Sequence, residues 1–232
     1  MSSSINETPG HRDGFKHYEM PFTRIELAIM SVVDGGLAVL LGKRTGSPHK
    51  GKWALPGGVL RIDLDRDLED AAQRVAGERL GVTLPYLRQL HAVGSKTRDS
   101  RAPWALSIAY RALLPFEAID PQAGKRIEAL CWRPIDEAMA DTKLGFDHAD
   151  LIRSAAETTR AEIERLELPF GFLPEAFTLG ELQLTCEQIL GRRLDKSSFR
   201  RRLDDRELLE PVAGQMRTGA FRPAQMFRLV VS

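Results

Sequence analysis

The sequence predicts an α/β domain followed by a small C-terminal domain built from two helices and a β hairpin. Three observations carry this. Strand-like apolar stretches alternate with helix-period stretches over roughly the first two thirds of the chain. A proline- and glycine-rich break at residues 168–174 then interrupts the pattern. Beyond it come two short segments with helix-capping signals and two β-like stretches.

Residues 1–20 are polar and rich in serine and glycine, and read as a flexible N-terminal arm. Residues 24–33 and 37–44, separated by Asp34-Gly35-Gly36, read as a β hairpin. Residues 53–58, Trp-Ala-Leu-Pro-Gly-Gly, form a turn-rich junction. Residues 67–80 have helical period, with Leu68, Ala71, Ala72, Val75 and Ala76 on one face and Gly81 as the stop. Further strands are expected at residues 86–94, 104–114 and 127–132, and a helix at about 148–166. The domains are thus an arm at 1–20, an α/β domain at 21–168 and a C-terminal domain at 169–232.

That second domain opens on a capping box. Thr178 can accept from the backbone of Glu181, whose carboxylate reaches back, and Phe177 and Leu182 stand at the staple positions. Leu179, Leu182, Cys186, Ile189 and Leu190 form the apolar stripe, and Gly191 ends the helix. Asp195 caps a second helix, with Phe199 and Leu203 inward and Lys196, Ser197, Arg200 and Arg201 outward. Residues 208–212 and 225–231 are β-like, and the stretch between them carries Arg217, Thr218 and Arg222.

Composition narrows the class. The 232 residues are 43% apolar, enough for a proper core, and the net charge of +1 selects no partner. The charge is uneven, however: residues 191–232 hold ten Lys/Arg against five Asp/Glu. A basic tail suits a phosphate-rich partner, although a solvated charged surface explains it equally well. Cys131 and Cys186 have no paired spacing, which argues against disulfides and a cysteine zinc site. No apolar run is long enough for a membrane span and the first twenty residues carry no signal-peptide core, so a cytoplasmic protein without membrane contact is expected.

Residues 57–82 resemble the Nudix box. That box runs Gly, five residues, Glu, seven residues, then Arg-Glu-apolar-any-Glu-Glu-any-Gly-apolar; here it aligns on Arg74, Glu78, Gly81 and Val82 after the lead-in Leu55-Pro56-Gly57-Gly58. The resemblance implies a Nudix α/β/α sandwich on a mixed sheet. The family's chemistry needs several carboxylates on one helix face to hold divalent cations against a diphosphate. In this chain the early Glu position is Arg66, the Glu after Arg74 is Val75, and the second Glu of the last pair is Arg79. Only Glu78 remains, so no catalytic residue is assigned. No cofactor is required, and at most Glu78 touches a Mg2+ ion shared with a bound phosphate. Arg66 and Arg79 can instead pair with a diphosphate directly.

The candidate ligand residues are Lys43, Arg44, Gly57, Gly58, Arg66, Arg74, Glu78, Arg79 and His148. Each has a plainer reading: an amphipathic helix of mixed surface charge, a strand-end charge pair at Lys43-Arg44, and a structural histidine. Asp147, in Phe146-Asp147-His148-Ala149, is a helix cap or a ligand.

The two capped C-terminal helices resemble a helix-turn-helix, whose second helix enters the major groove, and the hairpin after them would be its wing. Lys196, Ser197, Ser198, Arg200, Arg201, Arg217, Thr218 and Arg222 are the candidate contacts to double-stranded DNA. The alternative is a helical interaction module with a basic surface. As a whole the chain resembles the Nudix-related transcriptional regulators of NAD metabolism, the NrtR family. The resemblance rests on residues 52–58, 67–72 and 146–149 and on the C-terminal run through Phe177-Thr178-Leu179, Leu194-Asp195-Lys196, Phe199-Arg200-Arg201 and Arg222-Pro223-Ala224. It implies a homodimer that represses NAD biosynthesis or salvage genes, binds operator DNA and takes ADP-ribose or a related nucleotide as effector. It also leaves two alternatives, a weakly active ADP-ribose pyrophosphatase and a sugar-responsive regulator of the same architecture.

Overall fold

The computed structural model describes residues 20–168, 173–217 and 223–230. The expected arm lies outside these residues except for Met20. A long hairpin organises the first domain. Strands β1 (Phe22–Val33) and β2 (Gly36–Arg44) meet at a two-residue turn in which Asp34 and Gly35 both take positive φ, 49° and 81°. Such a turn matches the twist of the strands it joins.

Strand β2 pairs with β1 only from Met30 to Val33. Along Arg24–Glu26 the same edge is taken by β4 (Gly57–Val59), and β3 (Trp53–Ala54) pairs with β2. The junction expected to be turn alone therefore supplies two short strands. The divergence of β2 leaves backbone donors and acceptors on β1 that need partners. On its other edge β1 runs parallel to β6 (Ala105–Leu113), which pairs with the edge strand β5 (Arg88–Ser95), while β7 (Ile127–Pro134) pairs with β2. The sheet is thus mixed.

Alternation along the strands sends side chains to two cores. Ile25, Leu27 and Ile29 pack with Ala71, Ala72, Val75, Ala76 and Leu80 of helix α1 (Leu68–Leu80). Ala28, Met30, Val39 and Leu41 face Leu151, Ile152, Ala155 and Ala156 of α3 (His148–Glu164), with α2 (Ile135–Ala140) alongside. The result is an α/β/α sandwich. Helix α2 was not anticipated, being short and following a strand with no capping side chain.

The C-terminal domain is a winged helix. Helix α4 (Leu179–Leu190) opens on the Thr178–Glu181 capping box and ends at Gly191, φ 69°. Helix α5 (Lys196–Asp204) is capped by Asp195. Strands β8 (Phe177–Thr178), β10 (Ala224–Leu229) and β9 (Leu209–Arg217) form the sheet in that spatial order, β9 running further than expected. Phe177, Leu182, Cys186 and Ile189 join the same apolar core as β2 and α3, so the two domains are packed together. Among the described residues no helix is long and apolar enough to cross a membrane.

Candidate functional site

A cleft opens beside the lead-in to α1. Arg24, Arg44, Arg79 and Arg126 line it together with Gly42, Leu55, Pro56, Gly57, Val59 and Ile127. Four arginines, from β1, the end of β2, α1 and a loop, thus line one cavity. Burial, reinforced by Arg24, pushes the Arg44 pKa down to about 10. Such a group gains from an anion that restores its charge balance.

Arg79 stands where the Nudix pattern has its last glutamate. Its Nε donates to the Gly57 carbonyl and its Nη1 to the Lys125 carbonyl, both at 2.8 Å. It therefore ties the lead-in to the loop before β7. That loop also closes the end of α1: Gly124 N–H bonds to the Arg79 carbonyl at 3.0 Å and Lys125 N–H to the Glu78 carbonyl at 2.9 Å. Arg126 follows with φ 65°, an unusual conformation for a side-chain-bearing residue.

Phe146 forms the floor behind the arginines, itself at φ 58°. Arg44 and Arg24 lie over its ring, 4.9 and 5.4 Å from the centroid, within cation–π range. His148 stacks on it at 5.1 Å. The fully buried His148 accepts the Leu55 N–H at Nδ1, 2.9 Å. The neutral ring thus carries its proton on Nε2, 3.7 Å from Glu26 Oε2. Burial lowers the His148 pKa, favouring that neutral form. Glu26 is buried, yet Arg24, whose Nε is 2.8 Å from Oε1, holds its carboxyl at about 2. Gly57 is required here, because a Cβ would lie 1.8 Å from Glu26 Oε2. A Cβ on Gly58 would meet Val75 at 2.7 Å.

The expected ligand residues divide. Arg44, Gly57 and Arg79 line the cleft, with Gly58 and His148 behind it. Lys43, Arg66, Arg74 and Glu78 are not among its lining residues. Lys43, on the opposite face of β2 from Arg44, pairs with Glu128 at 3.0 Å. Arg66 is 83% exposed and pairs with Asp70 one helical turn on. The neighbouring Asp65, and not Arg66, faces the helix and binds Arg74 through both oxygens, at 2.5 and 2.9 Å. Arg74 also holds Glu78 at 3.1 Å and the Val59 carbonyl at 2.9 Å, a structural role. Asp147 is neither a side-chain cap nor a cleft residue, since it pairs with Arg98.

The donor set does not fit a multi-metal centre. Among the described residues no three His, Cys, Asp or Glu side chains cluster closely enough to hold a cation. Glu78 is already paired with Arg74, and Arg79 bonds the Gly57 carbonyl instead of offering a carboxylate.

Arg24 and Arg126 were missed as cleft residues, and so was the part played by Phe146, whose ring lies under Arg24 and Arg44. A charge pair inside an otherwise apolar strand, Arg24 and Glu26, was the available signal for the first. Arg126 offered none, because its place depends on the loop that closes α1.

On the winged helix, Lys196, Ser197, Arg200 and Arg201 are exposed on α5 while Phe199 and Leu203 are buried. Ser198 is half-buried, and its N–H is held by the Asp195 carboxylate at 2.8 Å. Arg217 pairs with Glu181 at 3.2 Å, turning the start of the wing toward α4. Thr218 and Arg222 lie outside the described residues.

Comparison with known proteins fits this geometry. Residues 23–155 match the NUDIX domain, and residues 169–229 match the NrtR DNA-binding winged helix domain. The ADPR responsive transcriptional repressor NtrR of Acinetobacter baylyi is 36% identical over 214 residues, covering 92% of this chain and 84% of the relative. The crystal structure of Shewanella oneidensis NrtR with a 27mer DNA superposes with a TM-score of 0.74 at 33% identity, over 90% of this chain and 93% of that one. The NUDIX domain of the Shewanella protein with ADP ribose gives 0.57 at 30% identity, over 62% of this chain and 92% of that one.

Proposed function

The chain belongs to the NrtR family of Nudix-domain proteins with a C-terminal winged helix, and from that premise we propose that it is a transcriptional repressor whose cleft senses ADP-ribose or a closely related nucleotide. The observation that carries this reading is the convergence of Arg24, Arg44, Arg79 and Arg126 on the cleft. Charge-assisted bonds from guanidinium to phosphate are strong, and Arg can present two donors at once to a phosphate. A diphosphate is thus bound by side chains where a hydrolase would bind it through metal ions.

The domain is accordingly proposed to be inactive as a hydrolase and to need no cofactor, with Mg2+ reaching Glu78 only alongside a bound phosphate. Four guanidiniums favour a phosphate-bearing effector over a plain sugar. Lys196, Ser197, Arg200 and Arg201 are proposed to enter the major groove, with Ser198 and the wing residues Arg217, Thr218 and Arg222 at the phosphates. A homodimer would present two such helices to a pseudo-palindromic operator of NAD biosynthesis or salvage genes, in the cytoplasm.

Fluorescence anisotropy of a labelled operator fragment, titrated with protein at fixed salt with and without ADP-ribose, tests this. A change in operator affinity on adding ADP-ribose is expected, because an effector acts only by binding two states unequally. Calorimetric binding of ADP-ribose with no change in operator affinity would overturn it. Mg2+-dependent release of AMP at ordinary enzymatic rates would return the hydrolase reading.

A further inference from the structure

Helix α3 starts under the cleft and ends against the DNA-facing helix. At its first turn His148 is buried beneath Phe146, whose ring carries Arg24 and Arg44. Seventeen residues later, about 25 Å along the axis, its last carbonyls are taken by α5 and the residue that follows it closely. Arg202 Nη2 donates to the Glu164 carbonyl and Arg206 Nη1 to the Arg165 carbonyl. Arg192, at the end of α4, pairs with the Glu164 carboxylate at 2.7 Å.

Unpaired carbonyls at a helix C-terminus carry partial negative charge, so guanidinium groups are held there by both hydrogen bonding and the helix dipole. Arg202 and Arg206 take no part in the DNA face formed by Lys196, Arg200 and Arg201. Their contacts sit at the surface, where water can replace them, whereas the apolar contacts among Phe177, Leu182 and Ile189 are buried.

We propose that α3 is the rod by which occupancy of the cleft reaches the recognition helix, with Arg202 and Arg206 as its coupling contacts. The proposal rests on the effector reading given above. An anion bound to Arg24 and Arg44 pulls on guanidinium groups that rest on the Phe146 ring, and so on the ring itself. Phe146 lies two residues before His148 and is already in a conformation that side-chain-bearing residues seldom adopt. A change there moves the start of α3. A rigid helix carries the displacement to its last carbonyls, where α5 is attached through side chains that can exchange carbonyl for water.

The test uses the full chain, ADP-ribose and a labelled operator. The ratio of operator dissociation constants with and without saturating ADP-ribose is measured for the unaltered protein and for Arg202→Gln with Arg206→Gln. Calorimetry gives the ADP-ribose affinity of each. In the unaltered chain the ratio is expected within the roughly 5- to 150-fold span common for allosteric coupling. In the double variant it should fall to about 1–2, with ADP-ribose affinity within about twofold of the unaltered protein. If the double variant does not melt cooperatively, the single variants R202Q and R206Q are measured in the same way, each expected to lower the ratio at least threefold (about half the typical coupling free energy). An unchanged ratio in a folded variant that binds both ligands overturns the coupling role alone. A ratio of one in the unaltered protein, with ADP-ribose bound, overturns the effector reading and this proposal with it.

Discussion

Arg79 Nε lies 2.8 Å from the carbonyl oxygen of Gly57, a residue twenty-two positions earlier in the chain. This bond sets a positive charge against the lead-in at a position where the Nudix pattern has a carboxylate. The same side chain reaches Lys125, so one residue both holds the cleft wall and charges it.

Replacing Arg79 should therefore affect stability and binding together. Arg79→Met leaves the Gly57 and Lys125 carbonyls without their donor and is expected to cost about 2 kcal/mol of stability, read from urea denaturation. ADP-ribose affinity should fall at least about tenfold by calorimetry, the worth of one charge-assisted contact. Unchanged affinity in the folded variant would remove Arg79 from the binding surface.

Phe146 places two of the cleft arginines. Phe146→Leu keeps apolar bulk but removes the π face under Arg24 and Arg44, each contact being worth about 0.5–2 kcal/mol. ADP-ribose binding should weaken about three- to tenfold. If side chains and not a cation hold the phosphates, as proposed, adding EDTA should leave the affinity of the unaltered chain unchanged within about twofold. Binding that requires Mg2+ would contradict this.

Acid should destabilise the cleft in two stages. Glu26 has its folded pKa lowered to about 2 from 4.5, so its contribution is complete above its unfolded value and is lost as pH falls toward 2. His148 is lowered from 6.5 by burial, so its contribution is present above 6.5 and is lost as pH falls through its folded value. Urea midpoints should therefore fall from about pH 6.5 toward about pH 2, the His148 stage first and the Glu26 stage below pH 4.5. His148→Gln should flatten the upper part of that fall and leave the lower part.

The DNA face should separate cleanly from the cleft. Arg200→Ala with Arg201→Ala is expected to weaken operator binding at least about a hundredfold, from roughly 1–3 kcal/mol per specific contact. ADP-ribose affinity should stay within about twofold, since neither side chain approaches Arg79 or Phe146. Operator binding at full strength in an anisotropy titration would move the interface away from α5.

Local chemistry determined what could be read directly. The Thr178–Glu181 capping box, Gly191 beyond α4, Asp195 before α5 and the apolar stripe of α1 are relations between residues a few positions apart. Short-range sterics and hydrogen bonding specify them whatever the rest of the chain does. The loss of carboxylates around Glu78 was equally visible in the sequence. Only the folded chain decided which arginines line the cleft. Arg66 and Asp65 are neighbours in sequence, yet Arg74 is met by Asp65, while Arg66 turns to Asp70 and solvent. Arg24 and Arg126 reach the cleft, and Phe146 comes under Arg24 and Arg44, from three distant segments. Their convergence depends on the parallel pairing of β1 with β6, the divergence of β2 and the loop that closes α1. Those are contacts of high sequence separation, set by the packing of two cores against one sheet, and no local pattern encodes them.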